Sequence, residues 1–310
     1  MIRKTWFFTK MVFKMLNKEV VNQEDYKASY NEVASTYQHW IEQMGRFTDN
    51  IIKPELLMNQ GLKISEGSLI NEPGGQQPVK VLDFACGTGY ISRRIVEMGV
   101  PCEITAVDIS ERMLENCADL SDQGVKLVHM DGMDFLNGTE ETFDVILCGW
   151  ALPYFPHKAL LKKFREKLRD GGMVGVIANR KGTLHKMEEI FLRVMADNPE
   201  NVRKPMNISL QLPQGSEGLE SWFRQYGFTT VEIDEGEVTF SFDTPEELLA
   251  WLNQTGALAG TMQIFDNYDK VKGDLLREID KEKRRNDQYE INHTFVYGIF
   301  RNGGVKREHA

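Results

Sequence analysis

No stretch of the 310-residue chain holds about 20 uninterrupted apolar residues, so nothing reads as a membrane span, and no small-residue cleavage site follows the amino terminus. No run of lysine and arginine offers a stripe that could track phosphates, and the formal net charge of −9 argues against broad nucleic-acid affinity. A small-molecule or protein partner is the expectation. No two of the four cysteines, Cys86, Cys102, Cys117 and Cys148, have the CxxC spacing of a zinc site, and no metal is expected. They lie in or beside segments that read as regular structure, as reduced, half-buried cysteines of a cytoplasmic protein do. Repeats and low-complexity tracts are absent too. What is present is an ordinary globular composition, 41% hydrophobic and 27% charged, long enough for one large or two modest domains with a core.

Residues 1–19 are amphipathic. Lys10, Lys14 and Lys18 recur along one side of a helical projection, and Phe8, Met11, Val12, Met15 and Leu16 form an apolar stripe. Two readings follow: peripheral contact with an anionic membrane surface, or a helix packed on its own domain or left as an extension. Residues 1–25 are therefore expected to form an amphipathic amino-terminal extension and residues 26–310 the functional domain, with a core over 79–180, an insert over 181–218 and a lid-like segment over 244–288.

Beyond residue 70 strand-like and helical patterns alternate. VKVLDFA (79–85), EITAVDI (103–109), VKLVHMD (125–131), FDVILCG (143–149) and GMVGVIAN (172–179) are rich in Val, Ile and Leu. Between them ISRRIVEMG, SERMLENCADL with Ser110 as N-cap, and HKALLKKFREKLRDGG, ended by Gly171 and Gly172, read as helices. Alternation implies parallel pairing with right-handed crossovers, hence an α/β, doubly wound sheet. Later come a helix over 219–226, a strand pattern TTVEIDEGEVTFSF, a helix from DTPEELLAWL and a last strand INHTFVYGIF.

The first strand runs into VLDFACGTGY, in which Asp83, Ala85, Gly87 and Gly89 crowd the turn into the first helix. Small residues there let a ligand lie against the backbone at the carboxyl edge where doubly wound folds bind. The spacing is not the GxGxxG of dinucleotide binders, and Asp83 would repel a pyrophosphate held at the helix N-terminus. A ligand carrying an ammonium group suits it better. At Asp108, nineteen residues after Gly89, an acid ending the second strand can accept both hydroxyls of a ribose.

In these motifs the chain resembles the class I S-adenosylmethionine-dependent methyltransferases that act on small molecules. The resemblance implies S-adenosylmethionine as cofactor and a Rossmann-like, mainly parallel sheet with an antiparallel last strand, flanked by helical amino-terminal and lid segments. It implies that Asp83, Ala85, Gly87 and Gly89 lie along the cofactor, with Ala85 in place of the commonest pattern's first glycine. Asp108 would take the ribose, with Ile109 against the adenine. In HMDGMDF, Asp131 would take the adenine amino group, and the amide of Gly132 or Met133 a ring nitrogen. LCGWALPYF would place Cys148 at the methionine side and Trp150 and Tyr154 as walls of the acceptor pocket. YNEVASTYQHW resembles a covering helix from which Tyr37 would reach the methionine carboxylate, with Arg46 a second candidate. The flanks FDTPEELLAWLNQTGALAG and YEINHTFVYGIFRN are similar to the carboxyl-terminal parts of malonyl-carrier-protein O-methyltransferases and of ubiquinone and menaquinone C-methyltransferases.

A sulfonium methyl group is already activated, so alignment and exclusion of water are the enzyme's main tasks. A base is needed only for an acceptor that holds its proton. His39, His157 and His185 read as surface or structural histidines, and no catalytic residue is assigned. Substrate choice is expected in the amino-terminal helix, the insert and the lid-like segment, the insert forming an amphipathic helix through Met187, Phe191, Leu192 and Met195 beside His185 and Lys186. A nicotinamide-dependent oxidoreductase and a non-catalytic S-adenosylmethionine-binding protein are the alternatives.

Overall fold

The computed structural model describes residues 20–57, 64–65, 68–69, 78–204 and 212–303, so the amphipathic start lies outside the described residues. Helices α1 (Gln23–Val33), α2 (Gln38–Thr48) and α3 (Pro54–Leu57) precede the sheet. Strand and helix then alternate through β1 (Val79–Phe84), α4 (Tyr90–Glu97), β2 (Cys102–Asp108), α5 (Glu111–Glu115), β3 (Lys126–His129), α6 (Gly132–Gly138), β4 (Phe143–Gly149), α7 (His157–Lys167) and β5 (Leu168–Asn179). The chain continues with α8 (Met187–Asp197), α9 (Gly215–Gln225), β6 (Phe228–Phe242), α10 (Pro245–Gln254), α11 (Asp269–Lys283) and β7 (Gln288–Asn302).

The strands are joined in the order β3-β2-β1-β4-β5-β7-β6, with the two-residue strand Arg284–Arg285 paired to the start of β7. The pairings of β1 with β2 and β4, of β2 with β3 and of β4 with β5 are parallel. The carboxyl-terminal strands are antiparallel, as expected. Strand order reverses at β1, so β1 and β4 flank a topological switch point, and the turn after β1 lies at its ligand-binding edge. In β4 the consecutive residues Val145, Ile146, Leu147 and Cys148 are all buried. A strand covered on both faces produces this continuous apolar run. β6 carries exposed charged and polar residues over much of its length, which suits an edge strand.

Two compact units make up the chain. One comprises Met44–Ala178, Pro213–Glu235 and Val296–Ala310 and contains the alternating strands and helices. Its core gathers Leu82, Phe84, Ile146, Phe164, Val174, Phe223 and Phe300, with the rings of Phe223 and Phe300 stacked at 3.9 Å. Truncating any of these phenylalanines to Ala costs on the order of 3–5 kcal/mol. The other unit comprises Met1–Gln43, Asn179–Leu212 and Gly236–Phe295. In it α8 packs on α11 through buried Ile190, Phe191, Val194, Val271, Leu275 and Ile279, and Arg193 bonds Glu278 at 2.7 Å and Glu282 at 2.9 Å. Among the described residues no helix is long and apolar enough to cross a membrane.

Three sequence expectations are corrected here. The helix expected to run to Gly171 ends at Lys167, and Leu168 already pairs with Phe143 in β5. Asn302 explains the early stop, because its Nδ2 donates to the carbonyls of Leu168 and Arg169 and so caps the chain where it turns extended. In α8, Met187, Phe191 and Met195 are buried as expected, but Leu192 is exposed, since the stripe passes through Ile190 and Val194 instead. Of the four free cysteines, Cys86, Cys117 and Cys148 are buried and only Cys102 is intermediate.

Candidate functional site

The turn after β1 uses the left-handed region three times, at Ala85 (φ 55°), Gly87 (φ 54°) and Gly89 (φ 76°). Glycine enters it freely, whereas at Ala85 it costs roughly 1–2 kcal/mol. At Gly89 a Cβ would fall 2.7 Å from Leu120 Cδ1 and 2.8 Å from Cys117 Cβ, so only glycine fits between the turn and the segment after α5. The turn is tied to β2 by two bonds. Cys86 donates its amide to the carbonyl of Val107 at 3.0 Å, and Gly87 donates to Asp108 Oδ2 at 2.8 Å.

Asp83 is completely buried at the end of β1. Its Oδ2 accepts the Ser92 hydroxyl at 2.6 Å and the Ser92 amide at 3.1 Å. Oδ1 is buried and has no partner among the described residues. Burial pushes the carboxyl up to about 7; the Ser92 bonds oppose this and the nearby Asp108 adds to it. Asp108 is also held above its usual range by burial, while the amides of Ser110 and Gly87 pull it back. Its Oδ1 accepts the Ser110 amide at 2.8 Å, and Ser110 itself caps α5 by accepting the Met113 amide at 3.2 Å. The carboxylate thus braces the glycine turn and leaves helix capping to Ser110.

Beside it, the amide of Met130 bonds the carbonyl of Asp108 at 3.0 Å, joining the ends of β2 and β3. Half-buried Ile109 offers its carbonyl to His129 Nε2 at 3.0 Å. Asp131 is the N-cap of α6, its Oδ1 accepting from Met133 at 2.8 Å and Asp134 at 3.1 Å. The Met133 amide is therefore engaged by the cap. A Cβ on Gly132 would fall 2.5 Å from the Phe84 ring, so this glycine lets α6 start against β1.

At the end of β4, Cys148 is fully buried in the apolar core, where burial pushes its thiol up to about 12. Trp150 has φ +63°; its amide donates to the carbonyl of Ile177 at 2.7 Å and its indole to buried Thr48 Oγ1 at 2.9 Å. Tyr154 is partly buried against the core cluster. Arg46 is exposed in the last turn of α2, its guanidinium 4.7 Å from the centre of the Phe47 ring. Tyr37 belongs to the other unit, where its ring meets Tyr30 edge-on at 6.1 Å. Twelve of the expected cofactor and acceptor positions besides Arg46 thus fall in one unit with it, and Tyr37 in the second. His157 stacks on Trp222 at 4.0 Å, a packing role.

Sequence reasoning missed Ser92 and Thr48, the partners of Asp83 and Trp150. Ser92 could have been found, because with Ile91 and Ile95 it falls on the buried side of α4, and a hydroxyl there needs a polar partner. It also missed Tyr90, whose hydroxyl donates to Asp49 at 3.0 Å beside Arg94 and whose pKa is raised to about 12 by burial and by Asp49.

Tested for fit, the site offers S-adenosylmethionine a buried carboxylate oxygen without a partner for an ammonium group, a turn stripped of side chains, and an acid at the end of β2. Among the described residues no group of three or more His, Cys, Asp or Glu side chains could hold a metal ion.

Residues 81–172 match the methyltransferase domain family model. The chain is 26% identical over 180 residues to a malonyl-[acyl-carrier protein] O-methyltransferase of Bacteroides fragilis, covering 57% of this chain and 32% of that protein. It is 29% identical over 168 residues to a demethylmenaquinone methyltransferase of Clavibacter sepedonicus, covering 49% and 66% of the two. It is 21% identical over 291 residues to a malonyl-[acyl-carrier protein] O-methyltransferase of Anoxybacillus flavithermus, covering 92% and 97%. The chain thus spans about a third of the first of these relatives and just under two thirds of the second. The glycine turn, the acid at the end of β2 and the family match agree: residues 81–172 belong to a methyltransferase domain, and S-adenosylmethionine is its cofactor.

Proposed function

We propose that the whole chain is a methyltransferase that moves the methyl group of S-adenosylmethionine in line onto a small, partly apolar acceptor. The carrying observation is the buried Asp83 Oδ1, which has no partner among the described residues and lies at the start of a turn that only small residues can build. A carboxylate so placed is satisfied by an ammonium group, and the pairing would draw its pKa back down. In this proposal Ala85, Gly87 and Gly89 line the methionine part of the cofactor, Arg46 serves its carboxylate, and Cys148 lends its backbone, since its thiol is buried in the core. Asp108 takes the ribose hydroxyls on the lone pairs that Gly87 and Ser110 leave, with Ile109 against the adenine. Asp131 takes the adenine amino group. Of the two amides considered for the ring nitrogen, Gly132 is preferred, because Met133 already bonds Asp131. Trp150 and Tyr154 border the acceptor, Trp150 fixed by its indole bond to Thr48.

The cofactor brings an activated methyl group, so the chain's task is to orient, exclude water and hold the acceptor. The functional domain is proposed over 26–310, with the insert 181–218 and the segment 244–288 setting acceptor choice. A cytoplasmic location, with peripheral membrane contact through residues 1–19, belongs to the same proposal. The relatives are named for two different acceptors, so their names leave the acceptor open. The nicotinamide-dependent and non-catalytic readings find no support. Purified protein incubated with methyl-labelled S-adenosylmethionine and a cell extract should yield one or more labelled small molecules. Tight cofactor binding with no labelled product would overturn the catalytic part.

A further inference from the structure

The unit formed by Met1–Gln43, Asn179–Leu212 and Gly236–Phe295 holds a cleft of about 230 Å³, and every residue lining it belongs to that unit. Among these residues only Lys283, at the carboxyl end of α11, is buried, with 6% of its surface exposed. Its Nζ donates to the His185 carbonyl at 2.8 Å. That peptide is held from its other side as well, the His185 amide donating to Asn292 Oδ1 and Asn292 Nδ2 donating to the Gly182 carbonyl, both at 2.9 Å. The loop is so fixed with two residues in the left-handed region, Leu184 at φ 49° and Lys186 at φ 71°, a strain that persists only where the fold determines it. The carbonyl is therefore a rigid anchor for the amine at the cleft.

An ammonium group carries three donors, and burying one without a carboxylate is costly. Among the described residues no carboxylate pairs with Lys283. Glu282 gives its own to Arg193 at 2.9 Å, while Glu237 on β6 and Glu290 on β7 are exposed. Arg285, on the two-residue strand after α11, brings a second cation to the same cleft. Burial first and Arg285 second lower the amine from 10.5 to about 8, against the pull of Glu290 and Glu282. His185 meets Lys283 through its backbone carbonyl. A lysine desolvated beside another cation is a nucleophile, because part of it is uncharged near neutral pH.

The adduct must suit the same place. A carbamate would put a further negative charge into a cleft that already holds Glu237, Glu282 and Glu290. A neutral imine nitrogen has no hydrogen to give the His185 carbonyl. An amide keeps one N–H for that carbonyl and removes the charge that burial disfavours. The cleft has the volume of several waters, enough for a short acyl chain.

We propose that Lys283 is a covalent acylation site, at which Nζ attacks a short activated acyl group, a thioester or an acyl phosphate, entering the cleft beside α11. The nitrogen lone pair forms the C–N bond, the C–S or C–O bond of the donor breaks, the thiolate or phosphate leaves with the bonding electrons, and the amine proton passes to solvent. Acylation requires neither the methyl-donating cofactor nor a methyl acceptor, so it goes beyond the proposed function and does not rest on it.

The full chain incubated with acetyl phosphate or with acetyl-coenzyme A, followed by peptide mass spectrometry, tests the site and separates the two donor classes. At pH 7.5 Lys283 should be acetylated at least about fivefold faster than exposed Lys272 of the same helix by one donor or both. The Lys283 rate should rise with pH and level off above about pH 9. Arg285→Ala should slow it at pH 7.5, since the amine then holds its proton more firmly, and Glu290→Gln should hasten it for the opposite reason. Less than a fivefold preference with both donors, a rate that climbs without levelling to about pH 10, or failure of either variant to move the rate in its stated direction overturns the proposal.

Discussion

Replacing Asp83 by Asn should move stability and cofactor affinity in opposite directions. The substitution keeps the shape and keeps an oxygen for the Ser92 amide and hydroxyl, but it removes the charge that burial disfavours. With the folded carboxyl raised from 3.8 to about 7, both states are protonated below pH 3.8 and the burial of charge costs nothing there. Between 3.8 and about 7 only the unfolded chain is ionised, so the parent loses stability as pH rises; above about 7 the loss is complete. One pH unit corresponds to about 1.4 kcal/mol, so the full loss has a ceiling of about 4 kcal/mol. The stability advantage of Asp83→Asn should therefore be near zero at pH 4 and reach a few kcal/mol at pH 8, worth roughly 2–4 °C of melting temperature per kcal/mol in a chain of this size. The same change removes the partner of the cofactor's ammonium group, a charge-assisted bond of roughly 1.5–3 kcal/mol, so S-adenosylhomocysteine should bind about tenfold to a hundredfold more weakly. Urea unfolding from pH 4 to 8 and titration calorimetry at pH 8 measure the two effects. A pH-independent stability difference, or an Asn variant less stable than the parent at pH 8, would refute the burial argument; unchanged affinity would refute the ammonium role.

Asp108→Ala takes the charged acceptor from the amides of Gly87 and Ser110, so it should lower urea stability as well as weaken the cofactor at least about tenfold, and unchanged affinity by calorimetry would remove the ribose role. Asp108→Asn faces one of those amides with its own N–H₂, so it too should lose stability in the same melt. Gly89→Ala adds a contact with Leu120 and Cys117 to the left-handed strain, whereas Gly124→Ala, also at positive φ, meets nothing within 4 Å. The first should cost clearly more than the second's roughly 1–2 kcal/mol by urea midpoint. Burial lowers Lys283 from 10.5 to about 8, so between those values the unfolded chain holds a proton that the folded chain has shed, and stability should rise with pH by at most about 3 kcal/mol. In Lys283→Met that alkaline rise should disappear.

Much of the sheet was legible because its central strands are buried on both faces. FDVILCG maps onto β4 residue for residue, and VKVLDFA and EITAVDI fall within one residue of β1 and β2. The early start of β5 was hidden, because Leu168 continues a helical stripe that is ended by partners distant in sequence, its pairing with Phe143 and the side-chain amide of Asn302. Asp83, Gly87, Gly89 and Asp108 were legible as local motifs, yet their bracing was not: which atoms Asp108 holds depends on how two strand ends meet. Trp40, Trp251 and His293 come from three distant segments and carry no local signal. Leu192 shows the converse, an apolar residue whose place in a stripe was assumed and whose helix turns it outward.

Titration calorimetry of S-adenosylhomocysteine, and of NADH as comparison, into the purified full-length chain tests the central claim most directly. The account predicts saturable one-to-one binding of S-adenosylhomocysteine, a melting temperature that rises with its concentration, and no heat from NADH. No binding of S-adenosylhomocysteine at millimolar concentration, or saturable binding of NADH in its place, would contradict it.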